Sequence, residues 1–406
     1  MDTLRADALG LYGDTRGLSP FLNRLGARGL VGQQHTASSS WTRSSLASIL
    51  TGLDPAQHGL LEVEARLPSA VPTLAERLRA AGFRTGAFVA NPIAGTPDLM
   101  RGFDTVFAPA PGEAPPRAAE LVERAGAWVL EGGEAPFFAL VMPFDPHAPY
   151  DPLPEQRMRY CPGCPPKAAP SPQREYPNGG PPAERVQRWR DLYAGEVRAV
   201  DEALELLHDT LRPLAGRTTW VFTADHGEAF GEHGVFEHAF HLWQEVLHVP
   251  LVLAGAGVRP GEIAAPTSHI DLAPTILALA GMPSGPSLLE AVPTDRVLRS
   301  EVRMYGIHRL ALRQGPLKLV AHAPLDEQSF ARYHADPGMY PSVVRGQPEL
   351  HGWDLGEDPG EARERLDEAG FEPLIEEAQR WLSARPARGE ADEALGEALR
   401  GLGYME

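Results

Sequence analysis

Four short apolar runs punctuate the chain: RTGAFVAN (84–91), PFFALVMPFD (136–145), TTWVFTAD (218–225) and VPLVLAG (249–255). Each is continuous rather than alternating, as expected of a strand covered on both faces. Between them the apolar positions take a helical spacing. SPFLNRLGARG opens on a capping Ser and stops at Gly, and TLAERLRAAG carries the same punctuation. AERVQRWRDLYAGEVRAVDEALELLHDTLRPL is a long helical region ending before Pro213, and DLAPTILALAG is a shorter helix with its proline near the start, where proline is tolerated. Strands alternating with helices predict an α/β fold, with a mostly parallel central sheet sandwiched by helices. Ligands of such sheets gather at the carboxyl ends of strands. Asp145-Pro146-His147 and Asp225-His226 are therefore expected to share one rim.

Past about residue 285 the pattern changes. DRVLRSEVRM, HRLALRQGPLKLVAHA and GWDLGEDPGE read as short antiparallel strands with turns, followed by the helix EPLIEEAQRWLSA. The expected organisation is an α/β catalytic domain over 1–285 and a smaller C-terminal α+β domain over 286–406, with 334–352 as a loop insertion.

A hydrophobic content of 43% supplies a sizeable core, and 41 glycines and 40 prolines imply many loops. The net charge of −17 repels nucleic acid and anionic membranes, so neither is expected as a partner. An anionic substrate would need local compensation from a metal, an arginine or a helix N-terminus. No apolar run reaches the ~18 residues of a membrane span, and the chain carries no signal-peptide pattern, so the sequence assigns no localisation. The two cysteines, Cys161 and Cys164, form a C-x-x-C in a Pro-rich stretch. That spacing is open to a redox pair, a local disulfide or no role.

TADHGEAFGEHGVFEHAFH (223–241) follows a strand and is dense in acids and imidazoles. Asp225 and His226 together suit a divalent cation of borderline hardness, or a capping Asp beside a hydrogen-bonded His. Asp2 is an acid placed where a strand would end, or part of a flexible terminus. Thr42, in SSSWTRSSLASILTG, immediately precedes a helical pattern of Leu46, Ile49 and Leu50 that stops at Gly52. It is an N-cap or a nucleophile, because a helix N-terminus favours an anion and a hydroxyl beside a metal can attack phosphorus or sulfur. His147, in DPHAPYDP, either binds ester oxygens or protonates a leaving group, or simply occupies a turn. Among the later histidines His238 is the favoured site residue, while His241 and His248 are expected to pack or to support the site from behind.

In chain order DTLRADALGLYG, SWTRSSLASILTGLDPAQHG, MPFDPHAPYDP, the stretch from Thr223 to Leu253, HIDLAPTILALAG and WDLGEDPGE resemble the sulfatase family of the alkaline phosphatase superfamily over nearly the whole chain. The resemblance implies a divalent cation (Ca, Mg, Mn or Zn, with His226 tilting toward Mn or Zn) held in a single site by Asp2, Asp225 and His226. It implies Thr42 as nucleophile, His147 and His238 as groups that bind the anion or move protons, and Arg5 and Arg43 as substrate contacts. His58, Asp201, His269 and Asp271 fall at landmarks read as structural.

Three departures qualify it. Ordinary sulfatases carry Cys or Ser in a C-x-P-x-R context that matures to formylglycine; Thr42-Arg43-Ser44-Ser45-Leu46 cannot, so no formylglycine is expected. Thr3 stands where many relatives place another acidic ligand. Relatives also carry an apolar strand directly before the first acid, which predicts a natural start upstream of Met1 or a lost strand, with any signal or anchor lost alongside it. The leading expectation is a metal-dependent hydrolase of sulfate or phosphate and phosphonate esters. The alternatives are a transferase using the same site and a degenerate sulfatase fold used only for binding.

Overall fold

The computed structural model describes residues 1–110, 112–166, 169, 175, 180–304, 307–324 and 348–384. Residues 334–347 of the expected loop insertion lie outside the described residues, and 349–352 belong to a strand.

The strands are β1 (Leu30–Gly32), β2 (His35–Thr36), β3 (Arg84–Val89), β4 (Thr105–Phe107), β5 (Phe137–Met142), β6 (Thr219–Thr223), β7 (Ala229–Phe230), β8 (Phe236–Glu237), β9 (Leu251–Gly255), β10 (Gly261–Ile263), β11 (Thr267–Ser268), β12 (Val297–Met304), β13 (Ile307–Gln314), β14 (Leu317–His322) and β15 (Glu349–Asp354). The α-helices are α1 (Pro20–Gly26), α2 (Thr42–Thr51), α3 (Pro55–His58), α4 (Leu74–Ala80), α5 (Ala118–Glu131), α6 (Pro154–Tyr160), α7 (Ala183–Thr210), α8 (Gln244–Leu247), α9 (Leu272–Leu279) and α10 (Glu372–Ser383).

The central layer consists of a four-stranded sheet in the order β10-β1-β9-β6 and a three-stranded sheet in the order β4-β3-β5. β3 is parallel to both its neighbours and β1 is parallel to β10. β9 runs antiparallel to β1 and β6, a departure within the expected α/β class, since a continuous apolar run carries no information on direction. Helices α1, α5, α6 and α7 form one packed group and α2, α4 and α9 another. The carboxyl ends of β3, β5 and β6 lead into Asn91, the Asp145–His147 segment and Asp225–His226, as the α/β rule anticipates. Met1 runs beside the end of β6: its amino group donates to the Thr223 carbonyl and its own carbonyl accepts from Asp225 N–H, which delivers Asp2 to the same rim.

Capping follows the sequence in one helix and departs from it in another. Thr73 and Glu76 form the reciprocal cap of α4. Ser19 precedes α1, but its hydroxyl accepts from Gly10 N–H, and the first N–H groups of the helix go to Asp201 of α7, with Phe21 N and Leu22 N each 2.9 Å from its carboxylate.

Strands β12 to β15 form an antiparallel sheet in chain order. Alternation along the strands divides its faces. Leu310, Leu312, Leu319 and Ala321 pack on Phe371, Leu374 and Ala378 at α10, while Ala311, Val320 and Trp353 join the core of the central layer. The inner face also holds the rim segments in place: Glu301 N donates to the Ser38 carbonyl and Ser300 Oγ to the Ala37 carbonyl, and Lys318 Nζ donates to the Leu242 carbonyl. Cys161 and Cys164 are joined in a disulfide.

Candidate active site

Asp2, Asp225 and His226 are buried together, and one ligand atom from each lies within 4.8 Å of the others. The carboxylates are only half satisfied. Asn91 Nδ2 donates to Asp2 Oδ2 at 2.6 Å, and Asp225 Oδ1 accepts from Thr3 N and His226 N. Asp2 Oδ1 and Asp225 Oδ2 are buried and have no hydrogen-bond partner among the described residues. Burial, and then the Asp225 charge, push the Asp2 carboxyl well above its ordinary range. A divalent cation between the two groups removes both penalties at once.

The imidazole completes the donor set. His226 Nδ1 lies 3.0 Å from the Gly227 carbonyl, which assigns the proton to Nδ1 and leaves a lone pair on Nε2. Nε2 is 3.4 Å from Asp225 Oδ2. Burial lowers the His226 pKa to about 4, so the ring is neutral, as a ligand must be. Two carboxylate oxygens and an imidazole nitrogen therefore fit a divalent cation of borderline hardness.

Gly227 makes this turn possible, because a Cβ there would lie 2.1 Å from the Glu245 carbonyl oxygen. His269 secures the same strand end. Its Nε2 is 2.9 Å from the Ala224 carbonyl and its Nδ1 accepts from Ser38 N, joining the end of β6 to the segment that leads into Thr42.

Thr42 is the first residue of α2, with Trp41 at the cap and no side chain capping the turn. Thr42 Oγ1 lies 3.2 Å from His226 Nε2. The N-cap alternative is thereby corrected: the hydroxyl is directed to the imidazole, not to the helix backbone. Thr42 and His226 are almost completely buried.

His238 sits over this cluster, its ring 4.4 Å from that of His226 and 5.0 Å from that of His147. His147 in turn stacks on Phe144 at 4.4 Å. The flanking residues Glu237 and Ala239 have φ of 63° and 73°, left-handed values that cost a non-glycine residue energy and mark a constrained segment. His238 Nδ1 lies 3.0 Å from Glu228 Oε1, and Tyr150 Oη donates to Glu228 Oε2 at 3.1 Å. Burial raises Glu228 to about 7 and lowers His238 to about 3, disfavouring the charged form of each.

The sequence reading did not single out Glu228 and Asn91. Their signals were present, an acid two residues past Asp-His and a polar residue ending an apolar strand, but neither announces burial.

Arg5 and Arg43, expected as substrate contacts, are held by the protein instead. Arg5 binds Asp7, Glu232 and the Glu228 carbonyl. Arg43 is fully buried, donating to the Val63 and Ala65 carbonyls and pairing with Asp98 at 2.9 Å. Neither is carried forward as a substrate group. His58 bonds Ser48 and Leu60 N–H inside the fold, and His241 and His248 bond main-chain carbonyls, as expected of packing groups.

Comparison with known proteins gives this geometry its context. The family model described as Sulfatase matches residues 1–282. The chain is 29% identical over 322 residues to the low-salt glycan biosynthesis sulfotransferase Agl7 of Haloferax volcanii, covering 74% of this chain and 65% of that protein. It is 30% identical over 182 residues to the choline-sulfatase of Rhizobium meliloti, covering 40% of this chain and 34% of that protein. The chain thus spans less than two thirds of either relative. Among solved structures, a putative sulfatase from Bacteroides thetaiotaomicron superposes with a TM-score of 0.72 at 18% identity, covering 97% of this chain and 94% of the other. The phosphonate monoester hydrolase of Agrobacterium radiobacter superposes at 0.70 and 19% identity, covering 94% and 93%. At these identities the structural likeness speaks to the fold.

Proposed function

The chain belongs to the sulfatase family, and from that membership we propose that it hydrolyses sulfate, phosphate or phosphonate esters with Thr42 as nucleophile. The observation that carries the reading is the 3.2 Å contact of Thr42 Oγ1 with His226 Nε2, beside two buried carboxylate oxygens that have no partner among the described residues.

A divalent cation bound by Asp2, Asp225 and His226 would polarise the ester and lower the pKa of an adjacent hydroxyl. Thr42 Oγ1 gives up its proton to solvent and forms a bond to sulfur or phosphorus while that centre's bond to the leaving oxygen breaks. His147 or His238 supplies the proton that the leaving oxygen takes up. Glu228 orients His238 through its contact with Nδ1. The N-terminus of α2 favours the negative charge that builds up at the reacting centre. Water then attacks the same centre, the bond to Thr42 Oγ1 breaks, and Thr42 regains its hydroxyl proton. A threonine ester has to be opened in this way by water, whereas a formylglycine hydrate can expel its anion. That difference favours phosphoryl over sulfuryl esters.

The test is a quenched reaction with aryl sulfate, phosphate monoester, phosphodiester and phosphonate probes in the presence of Mn²⁺ or Zn²⁺. Peptide mass spectrometry should find the transferred group on Thr42 for the probe that turns over. Turnover with the group trapped on a different side chain would overturn the assignment.

The similarity to a protein named as a sulfotransferase favours one second reading, transfer of the group to an acceptor alcohol. Product analysis separates the two, since transfer gives a new ester and hydrolysis gives the free anion.

A further inference from the structure

A second cluster of ligand-type side chains lies on the inner face of the C-terminal sheet. Strand register places His322 of β14 directly opposite Glu349 of β15, while His351, two residues further along, falls on the same face. One ligand atom from each of the three lies within 4.8 Å of the others. His322 is 8% exposed, and its Nδ1 is buried with no hydrogen-bond partner among the described residues. An imidazole nitrogen left in that state costs free energy unless something occupies its lone pair or takes its proton.

His351 is already oriented as a ligand would be. Its Nε2 lies 3.3 Å from Glu349 Oε2, toward the cluster, and its Nδ1 lies 3.2 Å from Glu364 Oε1. A carboxylate on the second nitrogen fixes the ring and its tautomer, the arrangement that supports metal-bound histidines. The local charge also suits a cation. Arg309 faces His322 across β13 and donates to the Phe240 carbonyl, and the carboxylates of Glu349 and Glu364 outweigh its single positive charge.

We propose that His322, Glu349 and His351 form a second metal centre, separate from the Asp2–Asp225–His226 cluster, that takes a zinc-type divalent cation. Two imidazoles and one carboxylate make the donor set of a borderline cation. Tetrahedral coordination would bring the ligand atoms to roughly 3.4 Å apart, a closure within reach of side-chain rotation. The centre joins β15, the last strand of the sheet, to β14 across the long connection from residue 323 to 348. Binding there stabilises the sheet by the amount that the metal favours the folded state. A further cluster among the described residues, His233, Glu245 and Glu361, differs in kind, because the Lys318 ammonium already sits on Glu361.

The test is zinc binding by the full chain, stripped of metal and carrying Asp225→Asn to disable the first cluster. Bound zinc is counted after gel filtration, and the thermal midpoint is followed with and without zinc. His351→Ala and Glu349→Gln are the informative second changes, since both side chains are partly exposed and their removal leaves the core intact; circular dichroism checks the fold of each. The expected result is one zinc retained at micromolar concentration by Asp225→Asn, with a zinc-dependent rise in midpoint. Adding His351→Ala or Glu349→Gln should abolish that rise or weaken binding at least about tenfold. Zinc bound only at millimolar concentration, or bound equally well after either second change, would overturn the proposal.

Discussion

At the residue scale, the site depends on polar groups whose surroundings force their state. Glu228 is the clearest case, buried between Tyr150 Oη and His238 Nδ1. Glu228→Gln keeps the shape but removes the carboxyl group that contacts His238 Nδ1. Its kcat should fall on the order of ten- to hundredfold with KM nearly unchanged, as measured by steady-state kinetics. An unchanged kcat would mean that Glu228 only fills space. Asp225-His226 follows the apolar run of β6, and the grouping of Asp2 with Asp225 and His226 was legible through the motifs that resemble the sulfatase family. Glu228 and Asn91 were not, because what distinguishes them is burial by distant parts of the chain. The surroundings of Arg5 and Arg43 were hidden for the same reason: proximity in sequence to Asp2 and Thr42 says nothing of the Asp7, Glu232 and Asp98 carboxylates that engage them.

At the element scale, two local devices matter, one at the rim and one at a helix start. The first is the turn after β6. Gly227→Ala would drive a methyl group into the Glu245 carbonyl, 2.1 Å away, so the turn has to shift. We expect a stability loss of about 1–3 kcal/mol in denaturant titration together with weakened metal binding. The second is the cap that Asp201 of α7 gives to α1. Asp201→Ala removes both acceptors and should cost about 1–3 kcal/mol. Burial raises the Asp201 carboxyl to about 6 from an ordinary 3.8, outweighing the backbone N–H bonds that oppose it. The folded chain then binds more protons than the unfolded chain between those values. This group's contribution therefore favours the fold at low pH and is lost as pH rises through about 6. Asp201→Asn should flatten that slope, by at most about 3 kcal/mol across the window, in denaturation series run at several pH values. An identical slope in the variant would assign it elsewhere. Strands β3, β5, β6 and β9 were legible because they leave continuous apolar runs, whereas β1, β4 and β10 are too short to leave one. The antiparallel course of β9 was not, nor was the transfer of capping from Ser19 to Asp201, since both are decided by contacts distant in sequence.

At the scale of the whole molecule, the C-terminal sheet belongs to the site's support. Its inner face shares the main core and holds the main chain at Ala37, Ser38, Phe240 and Leu242, on either side of Thr42 and His238. Lys318 and Glu361 form a fully buried ion pair within this contact. Lys318→Met leaves the Glu361 carboxylate buried without its partner and should destabilise the protein by roughly 3–5 kcal/mol in denaturant titration. The change of pattern near residue 285 predicts a smaller C-terminal α+β domain, but a change of pattern does not reveal that its sheet shares the main core. The central claim, that Thr42 attacks the ester beside a cation held by Asp2, Asp225 and His226, is tested most directly by comparing the turnover of wild type and Thr42→Ala. Both are loaded with the same metal and assayed on the same ester probes. The account predicts at least a thousandfold loss, on the order expected for removing a nucleophile, with metal content unchanged; equal turnover by the two proteins would contradict it.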